Sequence, residues 1–248
     1  MLKELIINDI FKQRRTKLIL MVVAIPIFIS FLLFADLRIR YISYLRPLAI
    51  KEGLTSWQML MHEQNIVYFK QYLPIFGAMI ISSMFDNEYK NNAWTLSLIY
   101  PVKRRNIIIS KFITSLLFMV VMLSVNVIGL ILVGKVSGFP EPVNVEYFAR
   151  MFGIQFIASA AVMVIHLFIT LKNKNTLISI GIAAIISIVS SNLYFNKSII
   201  SKYNPYSFAS YSDGLMPVNL NTIIIIEMVI IIVGLVFVIN YFNRKQYY

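Results

Sequence analysis

Side chains able to do chemistry are scarce: two histidines, 11 carboxylates and no cysteine serve a chain of 248 residues. Without cysteine there is no disulfide framework, no Cys-ligated zinc, no iron–sulfur cluster and no thiol nucleophile. The stretch His62-Glu63-Gln64-Asn65-Ile66 opens like a zinc-protease helix, but the second histidine one turn on, needed to present two imidazoles to a metal, is missing. His166 is several elements away, so no metal site is expected. Gly134-Lys135 has no glycine-rich cradle before it and is followed by Val136 rather than Ser or Thr, so it does not form a nucleotide-binding loop. Ser137-Gly138 has no nucleophile-elbow context. The expectation is a chain that is not an enzyme and binds no cofactor of its own. If it uses ATP, the ATP and magnesium belong to another polypeptide.

The remaining candidates are polar groups inside apolar runs, where a charge at the bilayer centre costs roughly 2.5–3.5 kcal/mol on insertion scales. Glu227 lies about five residues into the last such run, roughly 7–8 Å deep by helix rise. It either reaches the interface, stays neutral or lines a polar path. His166 and Asn126 share that choice between hydrogen-bonded packing and a translocation path, and Gln155 and Asn192 are expected to bridge helices. A single buried carboxylate counts against a proton-driven carrier.

The elements that hold these groups are set by composition. Hydrophobic residues make up 58% of the chain and charged residues 14%, with a mean hydropathy of +0.74, which excludes an ordinary soluble domain. The apolar residues gather into runs long enough to cross a hydrocarbon core as helices. We read an all-α polytopic membrane protein, a single domain over residues 1–248, with an interfacial helix over 1–17 and six spans at about 18–35, 66–85, 112–134, 151–171, 176–195 and 222–242. In the first segment Glu4, Asn8 and Lys12 fall on one helical face and Leu2, Ile6 and Ile10 roughly opposite. The second span is the weakest, because Lys70 and Gln71 interrupt its outer end, which is expected to be packed within protein. Ser159-Ala160-Ala161, with Gly181, Ala183 and Ala184, offers sites of close helix approach.

Charge gives the orientation. The net charge of +12 would raise the question of nucleic acid in a soluble protein, but here the cations flank apolar runs and point to anionic lipid and topology instead. Segments 1–17, 86–111, 172–175 and 243–248 hold 14 Lys and Arg in 53 residues, against 9 in the 77 residues of 36–70, 135–150 and 196–221. The positive-inside rule places the first set, and both termini, in the cytoplasm.

One inward segment stands out, Asp86 to Lys111, reading DNEYKNNAWTLSLIYPVKRRNIIISK. Asp86 or Asn87 can cap a short helix with Glu88 in its first turn. Trp94 and Leu98 lie one turn apart, Pro101 stops the helix, and Arg104, Arg105 and Lys111 lead into the third span. This describes a stiff knob between two membrane helices, able to fit a groove on a cytoplasmic protein. A solvated loop that only enforces topology fits the same spacing.

In this segment and its six-span setting the sequence resembles the permease subunits of type-2 ATP-binding-cassette transporters. Their loop between spans two and three carries a glutamate, a hydrophobic stretch, a proline, basic residues and a lysine; here these are Glu88, Trp94 to Ile99, Pro101, Arg104 with Arg105, and Lys111. The small size and Asn204-Pro205-Tyr206 before the last span look like lantibiotic-immunity and peptide-exporting permeases. The resemblance implies a separate cytoplasmic ATPase, a second permease subunit as homodimer or heterodimer, a plasma-membrane location, and outward movement of an amphipathic peptide. Lipid or small-drug cargo, or a non-transporting scaffold that docks a cytoplasmic partner, are the alternatives.

Overall fold

A computed structural model describes residues 2–14, 16–90 and 102–244, and within them it is helical with no strand. Helix α1, Leu2–Gln13, ends in a turn where the Thr16 hydroxyl donates to the Gln13 carbonyl at 2.9 Å and accepts from the Leu18 amide at 3.2 Å. Helix α2, Leu18–Arg40, passes Pro26 and continues through one π-helical turn, Tyr41–Leu45, into α3, Arg46–Glu52. It therefore outruns the apolar stretch that ends near residue 35. The extension is held by polar contacts: Arg40 grips Asp36 one turn back at 2.6 Å and Glu63 of the next helix at 2.8 Å.

The second span is broken. Helices α4, Ser56–Ile66, and α5, Phe69–Lys90, meet at 57°, with Tyr68 between them in the left-handed region at φ 59. Thr55 and Gln58 form a reciprocal cap at the start of α4. The remaining helices are α6, Arg104–Val136, α7, Val145–Asn173, α8, Thr176–Phe195, and α9, Leu220–Arg244. Side chains of Asn144 and Asn175 cap α7 and α8. The connection from α8 to α9 folds into two 3-10 turns, Ile199–Tyr203 and Phe208–Asp213. Among the described residues five helical segments are long and apolar enough to cross a membrane, and the bent α4–α5 pair makes a sixth crossing if it counts as one.

Helix α7 is largely enclosed, touching α5, α6, α8 and α9, whereas α9 turns most of its apolar surface outward. Phe28 and Phe31 of α2, Leu132 of α6, Ile185 of α8 and Ile232 of α9 are likewise exposed, as residues facing acyl chains must be. With apolar solvent outside, close packing and polar contacts hold such helices together. Ser159, Ala160 and Ala161 are buried on α7, and Gly234 lies so close to Val164 that a Cβ would stand 2.5 Å from the valine. Gly181 has open space beside it instead.

The buried positions of α1 are Asp9 and Gln13, while Leu2, Ile6 and Ile10 are half-buried and Ile7 and Phe11 exposed. Polar groups tie the helix to the bundle. One expectation changes: the expected cap at Asp86 or Asn87 is absent, because α5 continues without a break through both positions to Lys90.

Candidate functional site

The two charged residues at the base of the inward segment, Glu88 near the end of α5 and Lys111 two turns into α6, come together inside the protein. Their side chains meet at 2.7 Å, and each residue is 2% exposed. The Lys111 ammonium spends its three donors on Glu88 Oε1, on Asp9 Oδ1 at 3.2 Å and on the Met84 carbonyl at 2.8 Å. Ser110 donates to the other oxygen of Asp9 at 2.7 Å, and Lys12 reaches Glu88 Oε1 at 3.1 Å. Two cations and two anions thus balance at the junction of α1, α5 and α6. Glu88 lies beyond the apolar part of α5, which ends at Asp86. Burial pushes its carboxyl pKa up, but Lys111 and Lys12 outweigh burial and hold it below the ordinary carboxylate value.

Further contacts stiffen this end. Gln13 donates to the Ser83 carbonyl at 3.3 Å, Tyr89 to the Thr170 carbonyl at 3.1 Å, and Arg104 to the Asn243 carbonyl at 3.3 Å, joining α1, α5, α6, α7 and α9. Arg105 is exposed. Trp94, Leu98 and Pro101 lie outside the described residues. The structure therefore brings Glu88 and Lys111 together as a buried joint, leaves Arg105 as an exposed cation, and turns Arg104 to the last helix. Helix α6 begins seven residues before Lys111, and Ile107 and Ile108 of its first two turns are buried.

The candidates for a translocation path differ in their hydrogen-bond partners. His166 is buried between the Ser179 hydroxyl at 3.0 Å and the Tyr206 hydroxyl at 2.9 Å. Asn126 accepts from Gln64 at 2.9 Å, joining α4 to α6, and Gln155 donates to Ser212 at 3.0 Å. Among the described residues Asn192 bonds the Ile188 carbonyl of its own helix and joins no second one. Glu227 is fully buried on α9, and neither carboxylate oxygen has a hydrogen-bond partner among the described residues.

At the opposite end of the bundle a second ion pair was missed by sequence reasoning. Lys70 and Asp213 are both buried and paired. Asn65 donates to Asp213 at 3.0 Å and accepts from Gln71 at 2.9 Å, and Lys70 also contacts the Met61 carbonyl at 3.4 Å. This network pins the α4–α5 bend to the loop before α9. A lysine beside an apolar run was the available signal, since burial demands an anion somewhere.

The family model described as ABC-2 family transporter protein matches residues 5–190, from α1 to within α8. No curated protein matches the chain.

Proposed function

The chain belongs to the ABC-2 transporter family, and we propose that it moves amphipathic peptides, with residues 91–101 as the point where the partner grips. As a family member it is the non-ATPase membrane component and works with an ATP-binding-cassette ATPase. The reading adds the path of force. Engagement of residues 91–101 by the ATPase pulls on the end of α5 and the start of α6. The buried Asp9–Lys111–Glu88–Lys12 cluster makes α1 move with them. That cluster is the observation that supports the lever.

In this reading the α1 end is cytoplasmic, the membrane is the plasma membrane, and a second six-span subunit completes the path. The cargo is an antimicrobial or toxic peptide, moved outward for immunity or secretion. Exposed aromatic side chains in residues 36–70 and 196–221, among them Tyr44 and Tyr203, suit a greasy and variable cargo.

The test is co-purification of the chain with its ATPase, followed by hydrolysis measured with and without candidate peptides. Trp94→Ala is expected to reduce ATPase retention while membrane insertion stays normal. Full function with no ATPase bound, or unchanged retention and transport in Trp94→Ala, defeats the lever. Hydrolysis stimulated by a lipid or small drug but by no peptide defeats the cargo assignment.

A further inference from the structure

A cavity of about 650 Å³ opens at the end of the bundle opposite α1, between the α4–α5 bend, the end of α8 and the loop before α9. Lys197 and Lys202 line it, and neither has a carboxylate partner among the described residues. The carboxylate beneath it, Asp213, does not offset them. It is engaged by Lys70, by Asn65 and, through its other oxygen, by the Leu215 amide at 3.0 Å. Tyr194 also lines the cavity; it is 1% exposed, and its hydroxyl has no hydrogen-bond partner among the described residues. A buried hydroxyl left without a partner is uncommon and points to a missing acceptor. Leu215 and Met216 make another part of the wall apolar.

We propose that this cavity is a binding site for the phosphate headgroup of an anionic amphiphile. Lys197 and Lys202 neutralise the phosphate, the Tyr194 hydroxyl donates to it, and the apolar wall receives the start of the chain. A zwitterionic choline headgroup fits less well, because it would set a fixed cation beside two lysines. The leaflet that supplies the ligand depends on the orientation given above, but binding does not.

The test uses the purified full chain in neutral detergent, with dioctanoyl phosphatidylglycerol, dioctanoyl phosphatidylcholine and inorganic phosphate as probes, read by thermal unfolding and native mass spectrometry. Phosphatidylglycerol is expected to raise the unfolding temperature and remain bound, with the other two probes weaker. The variant Lys197→Gln with Lys202→Gln alters exposed and half-buried side chains, so it should fold normally and lose the preference. Tyr194→Phe should weaken binding about 10-fold, the loss of one hydrogen bond to a charged group. An equal response to phosphatidylcholine, or an unchanged preference in the double lysine variant, overturns the site. Inorganic phosphate binding as tightly as the lipid overturns the amphiphile. Since neither ATPase nor peptide enters the assay, its failure leaves the transport reading standing, and failure of ATPase retention leaves the lipid result standing.

Discussion

Lys111 is a cation sealed in protein whose three donors are all used, so its partners are not interchangeable. Lys111→Met leaves Asp9 and Glu88 buried near each other with only Lys12 in reach, and removing one partner of a buried cluster costs about 3–5 kcal/mol. Asp9→Asn keeps an oxygen for Ser110 and leaves Lys111 on Glu88, so thermal unfolding should show a smaller loss. The cluster also makes an acid-sensitive joint. Since the folded protein holds the Glu88 carboxyl below its ordinary value, the unfolded chain binds more protons on the acid side. The contribution of Glu88 is complete above the unfolded pKa and disappears as pH falls through the folded one. Glu88→Gln should therefore flatten the acid limb of a stability profile, and an unchanged limb would remove Glu88 as its cause. Sequence marked Glu88 and Lys111 as members of one motif, and the structure joins them. It gave no sign that Asp9 closes the cluster from about a hundred residues away, because nothing in local spacing encodes that pairing.

The helices themselves were legible as apolar runs, but their ends were not. Helices α2 and α6 continue beyond the apolar stretch because ion pairs and buried isoleucines, rather than hydropathy, support the extra turns. The break between α4 and α5 rests on Tyr68 at positive φ, a conformation that a tyrosine does not announce. Where α6 ends, Gly134 lies against Trp57 so tightly that a Cβ would fall 2.4 Å from the indole. The ring has little freedom to retreat. Its Nε1 donates to the Glu141 carbonyl at 3.1 Å, and Phe139 and Phe148 meet it edge-on at 5.0 and 5.6 Å. Gly134→Ala should therefore push α4 from α6 and lose about 1–3 kcal/mol, the usual range for overpacking. In a Trp94→Phe background Trp57 is the remaining indole, and its emission should shift with the displacement. Unchanged stability and emission would mean that the α4–α6 contact yields easily.

At the scale of the whole molecule, polar order is concentrated at the two ends of the bundle. The cluster around Lys111 ties α1 to both helices that flank residues 91–101, while Lys70 with Asp213 holds the bend of the broken span to the loop before α9. Force applied at the first end can reach the second along α5, which carries both Glu88 and Lys70. This requires α1 and α5 to keep their register during the cycle, which a chain with no native cysteine allows to be examined cleanly. Gln13 of α1 donates to the Ser83 carbonyl of α5 at 3.3 Å, and neither residue belongs to the ion cluster. A short thiol-reactive linker between Gln13→Cys and Ser83→Cys would fix the two helices without disturbing the charges. If the junction is a rigid joint, the linked protein retains ATP-driven transport in reconstituted vesicles. Loss of transport on linking, restored when the linker is cleaved, would show instead that α1 slides along α5, and the lever would have to be redrawn with its moving surface inside the cluster.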